Sequence, residues 1–342
     1  MSSVYRRFGF ASAVLSLVIV APRTNILCSE ALAAPAFTPT APPPVAPALP
    51  QQVEPDYRVA ALQRDFQGNL WVASPQGLVR INPDTGRMIS RAQMPNFPIS
   101  ALAQDRVGRI WVGTSEGLWR IDPKTNTVTA QNLFLPSNRV LSLLVDRRGF
   151  LWVGTDSGLA LVSPDQGLLM TTLKNLPGVS ANALSLDPEG QLWVGTLEGV
   201  AQIDTASAKV LHTSTLEGAV QALSLDRHGS LWAGTTNGLI KLDPLNRRRL
   251  RSVTSLKGRE ILSTGFDAVG SIWVGTNTGL LRVNPYNGAI VGQIPNLPSN
   301  RVLSLAPDTG NKLWVGTSEG LAWVSMTTYE TRSHLMFSRR IE

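Results

Sequence analysis

Cysteine is almost absent from this chain of 342 residues, since Cys28 is its single example and lies near the amino terminus. If the segment around Cys28 is removed, the mature protein has no disulfide, thiol nucleophile or cysteine metal ligand. Histidine is also scarce, with three examples, His212, His228 and His334. Charged residues make up 16% of the chain and hydrophobic residues 43%, which indicates a folded protein and not a disordered one.

Long hydrophobic runs are lacking too. The apolar run at residues 8–21 has fourteen residues, whereas a membrane-spanning helix needs roughly twenty. It follows Arg6 and Arg7 and precedes small residues at 31–33, which is the pattern of an export signal. We therefore predict a cleaved signal peptide at 1–33, with an uncleaved anchor as the alternative, and a periplasmic or extracellular protein. A proline-rich linker is predicted at 34–56.

A motif of the form Leu-Trp-Val-Gly-Thr recurs along the rest of the chain. Its tryptophans lie 39 to 41 residues apart: Trp71, Trp111, Trp152, Trp193, Trp232, Trp273 and Trp314. An aspartate stands six residues before each: Asp65, Asp105, Asp146, Asp187, Asp226, Asp267 and Asp308. A glycine stands six residues after each: Gly77, Gly117, Gly158, Gly199, Gly238, Gly279 and Gly320. Seven copies at this regularity establish a repeat architecture.

One nonamer, LPSNRVLSL, occurs twice, at residues 135–143 and 297–305. The two copies occupy the same position in the third and the seventh repeat, four periods apart. Each repeat contains four short apolar stretches separated by turn residues, which predicts a four-stranded β-meander. Radial repetition of such sheets gives an all-β fold, a seven-bladed β-propeller of four-stranded antiparallel blades, predicted over 57–342.

A linear β-solenoid is the rival architecture. Open solenoids need atypical capping repeats, whereas the first and last repeats here keep the whole motif, so a closed ring is favoured. Four residues before each aspartate the side chain is small: Ala61, Ala101, Ser142, Ala183, Ala222, Ser263 and Ser304. Small residues fit where seven strands converge, so the first strand of each repeat is predicted to be innermost. No strand shared between the two ends can be identified, and the mode of ring closure stays open.

The unit "LSLLVDRRGFLWVGTDSGLALVSP" resembles the two-component-regulator propeller repeat, with its aspartate–glycine turn, Leu-Trp-[Val/Ile]-Gly-Thr strand and Asp-Pro ending. "LWRIDP" and "LIKLDP" match that ending. The resemblance covers about residues 57–337. In well-known members such propellers form the periplasmic sensor part of hybrid histidine kinases, often as two propellers. This sequence shows one set of seven repeats and neither a second transmembrane segment nor a kinase or receiver domain, so we expect a stand-alone member.

The recurring residues have structural explanations. Tryptophans supplied once by every repeat are expected to fill the wedges between blades, opposite Arg80, Arg120, Lys241 and Arg282 in the predicted register. The aspartates are expected to accept backbone N–H bonds in short turns, and not to converge on a metal ion. The "GTxxG" segments lack the lysine and helix of a phosphate loop. We therefore predict no metal, no cofactor and no catalytic residues.

The crossings from the outer strand of one repeat to the inner strand of the next vary, unlike the core motif. They surround one mouth of the predicted channel, where variation on a rigid scaffold creates binding sites. The candidate ligand or partner residues are Tyr57, Arg58, Phe97, Asn138, Arg139, Asn182, Arg259, Asn300 and Arg301. Arg58, Arg139 and Arg301 precede inner strands and are expected to share one arc of the mouth. Whether these residues bind a ligand or only satisfy turn geometry is open at this point.

The sequence thus predicts an exported, non-catalytic, sensor-type binding module. Its partner would be a protein, or an anionic or carbonyl-rich ligand such as a saccharide. Two alternatives are a lyase-like propeller, similar to the streptogramin lyases, and an assembly scaffold gripped at outer blade edges such as the basic run 247–251. The lyases depend on a histidine at the active mouth, where none of the three histidines is expected. Nucleic acid is not expected, and membrane contact is expected only if the signal segment stays uncleaved.

Overall fold

The computed structural model describes residues 56–246 and 248–338. The predicted signal peptide, all of the linker except its last residue, and Arg247 lie outside these ranges. The described residues form seven four-stranded sheets and one 3₁₀ turn, Thr254–Leu256. In the part of the chain that is described, no helix has the length and apolar character needed to cross a membrane.

The strands are numbered in chain order. The first strands of the seven sheets are β1 (Ala61–Arg64), β5 (Ile99–Gln104), β9 (Val140–Val145), β13 (Ala183–Leu186), β17 (Val220–Leu225), β21 (Ile261–Phe266) and β25 (Val302–Ala306). The second strands are β2 (Leu70–Ser74), β6 (Ile110–Thr114), β10 (Leu151–Thr155), β14 (Leu192–Gly195), β18 (Leu231–Thr235), β22 (Ile272–Thr276) and β26 (Lys312–Thr317). The third strands are β3 (Gly77–Ile81), β7 (Gly117–Asp122), β11 (Gly158–Val162), β15 (Gly199–Asp204), β19 (Gly238–Asp243), β23 (Gly279–Val283) and β27 (Gly320–Ser325). The fourth strands are β4 (Met88–Arg91), β8 (Thr127–Asn132), β12 (Leu169–Leu173), β16 (Lys209–Thr215), β20 (Arg248–Ser252), β24 (Ile290–Ile294) and β28 (Thr331–Ser333).

Each sheet consists of four consecutive strands in sequence order, paired antiparallel. The first strand of every sheet packs against the first strands of the two neighbouring sheets. The neighbours of β1 are β5 and β25, so the last sheet packs against the first. The first strands are therefore innermost, and the sheets are blades of a closed ring. The prediction of a seven-bladed propeller is confirmed.

The ring closes between blades 7 and 1 by packing, since each of these blades has its own four strands. The Val59 amide donates to the Thr317 carbonyl at 2.9 Å, and Ser304 Oγ donates to the Val59 carbonyl at 3.1 Å. Further out, the Lys312 ammonium donates to two carbonyls of the 82–87 turn at 2.7 and 2.8 Å. Buried Phe337 fills the same interface. The seam thus resembles the other blade junctions in kind, which resolves the open question of closure.

The seven motif tryptophans lie between blades, at 0–2% exposure. Trp71 of blade 1 packs with Leu102 and Ile110 of blade 2, and Trp314 of blade 7 packs with Val72 of blade 1. The predicted cross-strand partners are confirmed, since four of the indoles face a cation at 5.2–5.7 Å from the ring centroid: the pairs are Trp71–Arg80, Trp111–Arg120, Trp232–Lys241 and Trp273–Arg282. The tryptophans therefore fill the wedge-shaped spaces between neighbouring blades, as predicted.

The aspartate of each motif joins the first turn of its blade to that wedge. In blade 3, Asp146 Oδ1 accepts the backbone amides of Arg148 and Phe150 at 2.9 Å, and Asp146 Oδ2 accepts the Trp152 indole N–H at 3.1 Å. The same indole-to-carboxylate bond, 3.0–3.2 Å long, is present in blades 1 to 6. We call this arrangement the aspartate–tryptophan unit. It confirms the structural role predicted for these aspartates.

Blade 7 departs from the unit because its turn carries the glycine one position early. Asp308 and Asn311 adopt positive φ values of 51° and 55°, which turns the Asp308 carboxylate away from the wedge. Asp308 Oδ2 instead accepts the Ala268 amide of blade 6 at 2.6 Å. The Trp314 indole donates to the Thr309 carbonyl at 3.1 Å. The buried indole therefore has a hydrogen-bond acceptor in this blade as well, but the acceptor is a neutral carbonyl and not a carboxylate.

The glycine of the Leu-Trp-Val-Gly-Thr strand marks where the next blade approaches. A Cβ on Gly154 would lie 2.2 Å from the Ala181 carbonyl oxygen of blade 4 and 2.2 Å from Ser142 Oγ. Ser142 Oγ itself donates to that carbonyl at 2.8 Å. The small residue of the inner strand and this glycine together permit the close contact between neighbouring blades.

We expect Asp267→Ala to lower the free energy of unfolding by roughly 2–3 kcal/mol, because it leaves the buried Trp273 indole and the Ser271 amide without their acceptor. Asp308→Ala is the matched control, since its carboxylate makes no bond to a tryptophan. Thermal unfolding followed by tryptophan fluorescence compares the two variants. Equal losses of melting temperature would contradict the role given to the aspartate–tryptophan unit.

Asp226 makes part of the stability dependent on pH. Burial opposes its ionisation, but hydrogen bonds from Lys241, Trp232 and the Ser230 amide outweigh burial and hold the pKa of Asp226 below its ordinary value. A lowered folded-state pKa adds stability that is complete above the unfolded-state pKa of about 4 and is lost as the pH falls through the folded-state value. We therefore expect Asp226→Asn to be less stable than the wild type at pH 7 and to approach it as the pH falls through the lowered folded-state pKa of Asp226. Urea unfolding across this range measures the difference, and a gap that does not change with pH would refute the assignment.

Candidate functional site

The two faces of the ring carry different connections. The hairpins between second and third strands and the crossings between blades lie on one side, which we call the crossing face. The turns after the first and third strands lie on the other side, the turn face. This division follows from the antiparallel order of four strands in each blade. The predicted candidate residues all belong to the crossing face.

A cavity of about 450 Å³ opens on the crossing face where blades 1, 2 and 3 meet. Blade 1 contributes Arg58 and Ser74, blade 2 contributes Phe97 and Ser115, and blade 3 contributes Arg139. Each blade supplies the start of its inner strand, and blades 1 and 2 add their hairpins. Three of the nine predicted candidates, Arg58, Phe97 and Arg139, therefore line one cavity. Its volume lies within the range typical of small-ligand sites.

Arg139 is held at this cavity by the turn that begins blade 3. The Ser137 hydroxyl accepts the Arg139 amide at 3.2 Å, and buried Val140 follows at the start of β9. The Arg139 side chain is exposed, and within residues 56–246 and 248–338 its guanidinium has no hydrogen-bond or ion-pair partner. Its guanidinium donors are therefore available to a ligand, and do not bond to carbonyls of its own loop.

Arg58 has a different electrostatic setting. Its guanidinium forms an ion pair with Asp56 at 2.6 Å, and the same carboxylate accepts the Arg58 amide at 2.9 Å. Burial of the Asp56 carboxyl raises its pKa, but the hydrogen bonds and charge of Arg58 outweigh this and leave the pKa below its ordinary value. Among the described residues that line the cavity, there is therefore one neutralised charge pair, Asp56–Arg58, and one cation without a partner, Arg139.

Phe97 forms the apolar side of the cavity together with residues of the inner strands. Its ring lies 5.9 Å from the Trp119 ring of the same blade, with a tilt of 33°. Ile99 and Val140 continue this apolar surface. An aromatic face beside guanidinium and carboxylate groups suits ligands that combine an apolar ring face with polar edges, as sugars do.

The remaining predicted candidates do not line this cavity. Arg301, Asn300 and Arg259 lie at other crossings and are exposed, and Asn138 is exposed beside Arg139. Tyr57 is half-buried next to Arg58. The Asn182 side chain donates to the Val220 carbonyl at 3.0 Å, so this residue joins blade 4 to blade 5. Of the three arginines predicted to share one arc of the mouth, Arg58 and Arg139 line this cavity, and Arg301 of neighbouring blade 7 does not.

The histidines lie away from this cavity. His212 is in outer strand β16, and His228 is in the first turn of blade 5 on the turn face. His334 follows β28, where its Nε2 lies 2.7 Å from the Gly86 carbonyl. In the described ranges, no three His, Cys, Asp or Glu side chains are placed together to hold a metal ion.

Sequence analysis missed the cavity residues whose role depends on neighbouring blades. Asp56 lies in the crossing segment "PDYRV", and its proximity to Arg58 was the available signal. Ser115 gave none, because Thr236 and Ser318 occupy the same position in other repeats. Only the positions of blades 1, 2 and 3 in space assign them to one site.

Comparison with known proteins agrees with this architecture. The family model described as "Two component regulator propeller" matches residues 94–116, 135–157, 175–198 and 296–319. The four segments belong to blades 2, 3, 4 and 7 and run from the crossing to the hairpin after the second strand. Among curated proteins, no sequence matches the chain.

Two similar solved structures are extracellular domains of putative hybrid two component systems from B. thetaiotaomicron. The first has 19% identity and a TM-score of 0.65 over 79% of this chain and 40% of the other. The second has 19% identity and a TM-score of 0.59, covering 80% and 48%. This chain therefore spans less than half the length of those domains.

Virginiamycin B lyase from Staphylococcus aureus is also similar. It has 14% identity and a TM-score of 0.64, over 77% of this chain and 92% of the lyase. Identities of this size establish a common fold and do not transfer an activity.

The repeat motif, the seven blades built from it and the four family matches agree with one another. Four of the seven repeats of this chain therefore match the two component regulator propeller repeat.

Proposed function

We propose that this propeller is a non-catalytic, sensor-type binding module that recognises an acidic saccharide in the cavity between blades 1, 2 and 3. The free guanidinium of Arg139 inside a cavity of about 450 Å³ carries the proposal. A guanidinium in such a position matches the geometry of a carboxylate, to which it can donate two parallel hydrogen bonds.

The other cavity groups suit the rest of a sugar. The Asp56–Arg58 pair offers an acceptor and a donor to hydroxyl groups at one side. The Phe97 ring offers an apolar face at the other side. An acidic sugar unit has a carboxylate, hydroxyl groups and an apolar ring face, and so matches all three groups.

Binding without turnover is supported by the positions of the histidines. A solved form of virginiamycin B lyase with quinupristin is a catalytically inactive histidine-to-alanine variant, so a histidine matters in that enzyme. In this chain His212, His228 and His334 all lie outside the candidate cavity. A lyase-like activity therefore stays the weaker alternative.

Export to the periplasm or the cell exterior is part of this proposal. The apolar run at 8–21 supports it, and so do the extracellular domains that share the fold. Recognition of an acidic saccharide outside the cell would suit a sensor-type module. Direct signalling by this chain is a proposal by family analogy alone.

The repeated nonamer supplies a matched pair of variants for the test. Arg139 and Arg301 have identical neighbours in sequence, but only Arg139 lines the cavity. We expect Arg139→Gln to weaken binding of trigalacturonate at least about tenfold, and Arg301→Gln to leave the dissociation constant within about twofold. Isothermal titration calorimetry measures both, with neutral maltotriose as the comparison ligand.

Equal weakening by the two substitutions would show that the charge of the whole face, and not this cavity, attracts the ligand. Failure of the folded wild-type protein to bind trigalacturonate would reject the acidic-saccharide class. A melting temperature close to that of the wild type is expected for both variants, because neither guanidinium has a partner within the described part of the chain.

A further inference from the structure

The turn face has a second mouth, and its charges differ from those around the cavity. Three arginines stand at or just after the ends of the inner strands in adjacent blades: Arg64 in blade 1, Arg106 in blade 2 and Arg147 in blade 3. We call them the basic arc. All three are exposed. Because inner strands surround the channel, residues at their ends border its opening.

The arginines of the basic arc are not neutralised by carboxylates. None of them forms an ion pair within the described residues, whereas Arg80, Arg109 and Arg148 each pair with the aspartate of their own blade. Arg64 donates to the Asp308 carbonyl at 3.3 Å, and Arg147 donates to the Asp187 carbonyl at 3.2 Å. Most of their guanidinium donors therefore remain available.

Each side chain of the arc reaches a neighbouring blade: Arg106 and Arg147 lie over the following blade, and Arg64 reaches the Asp308 carbonyl of blade 7. A Cβ added to Gly149 of blade 3 would meet the Arg106 Cδ at 3.1 Å, and one added to Gly190 of blade 4 would meet the Arg147 Cδ at 3.4 Å. The stems of Arg106 and Arg147 are thus packed over neighbouring turn glycines, while the charged ends of all three arginines are exposed. Like charges fixed on adjacent blades repel each other, and an anionic partner would relieve that repulsion.

Two large apolar side chains stand beside the arc. Phe66 is 71% exposed and Val107 is 72% exposed, and they belong to the same turns of blades 1 and 2 as the arc. Arginine next to exposed aromatic and aliphatic side chains is the composition of a protein-binding surface. A small inorganic anion would use the arginines but not these apolar side chains.

The outer part of the turn face argues against a flat anionic membrane. An aspartate stands at or just after the end of the third strand in five successive blades: Asp84, Asp122, Asp165, Asp204 and Asp243. Asp165 pairs with Arg109 at 3.0 Å. Hydrogen bonds within their turns lower the pKa of Asp204 and Asp243 below the ordinary value, so these two stay ionised. A bilayer would meet this acidic rim together with the arc. A narrow segment that enters the mouth would meet the arc alone.

We propose that the basic arc, Phe66 and Val107 form a docking surface for an acidic, partly apolar segment of a partner protein. This surface is on the opposite side of the ring from the saccharide cavity. The propeller could therefore hold a ligand at one mouth and a partner protein at the other. The inference goes beyond the proposed saccharide binding and does not depend on it.

The test uses a fluorescein-labelled peptide in which glutamates alternate with leucines, and fluorescence anisotropy at about 0.1 M salt, where the screening length is about 10 Å. We expect the triple variant Arg64→Gln, Arg106→Gln, Arg147→Gln to weaken peptide binding at least about tenfold. Phe66→Ser with Val107→Ser is expected to weaken it about threefold or more. A peptide with glutamine in place of glutamate is expected to bind far less tightly than the acidic one.

The control variant is Arg248→Gln, Arg249→Gln, Arg251→Gln, which removes the same charge from exposed strand β20 at the outer edge of blade 5. It should change peptide affinity less than about threefold. Equal weakening by the control and the triple variant would overturn the proposal, and so would equal binding of the glutamine peptide. Absence of peptide binding, with or without binding to phosphatidylglycerol vesicles, would also overturn it. Titration of the triple variant with trigalacturonate shows whether its saccharide site still binds, independently of the peptide result.

Discussion

The hydrogen bond from a buried indole to the carboxylate of a turn aspartate, present in blades 1 to 6, is the interaction on which this propeller depends. One carboxylate fixes the first turn of a blade through backbone amides and at the same time orients the tryptophan that fills the space before the next blade. Turn shape and blade spacing are therefore set by the same side chain. Blade 7 keeps a buried tryptophan in the same place without the aspartate bond, because its indole finds a carbonyl acceptor instead.

Much of this fold is encoded at fixed positions of the repeat. The aspartate, tryptophan and glycine positions each correspond to one local requirement, so counting them predicts blades, strands and the register of Trp71 against Arg80. The small residues at the Ser142 position identify the inner strand for the same reason. Ring closure was not predictable, because Val59, Lys312 and Phe337 act there through contacts between the first and last repeats.

The sequence does not predict which of the crossings forms a cavity. Two identical nonamers give Arg139 and Arg301 identical neighbours in sequence, but only Arg139 of the two lines the cavity between blades 1, 2 and 3. The difference arises from the preceding blades, where Arg58 and Phe97 complete the walls. A repeat protein can therefore carry the same sequence twice with different chemical surroundings, since its binding groups are assembled across blades while its folding groups act within one blade or with the next.

The ring closes without a strand shared between blades 7 and 1, and this affects how the chain can fold and be circularly permuted. Every blade completes its strand pairing within about forty consecutive residues, so this pairing is local in sequence and only the final seam joins distant segments. Opening the chain at any crossing would leave seven intact blades. Circularly permuted forms that begin at another crossing, with the native ends joined by a flexible linker, should therefore assemble the same ring.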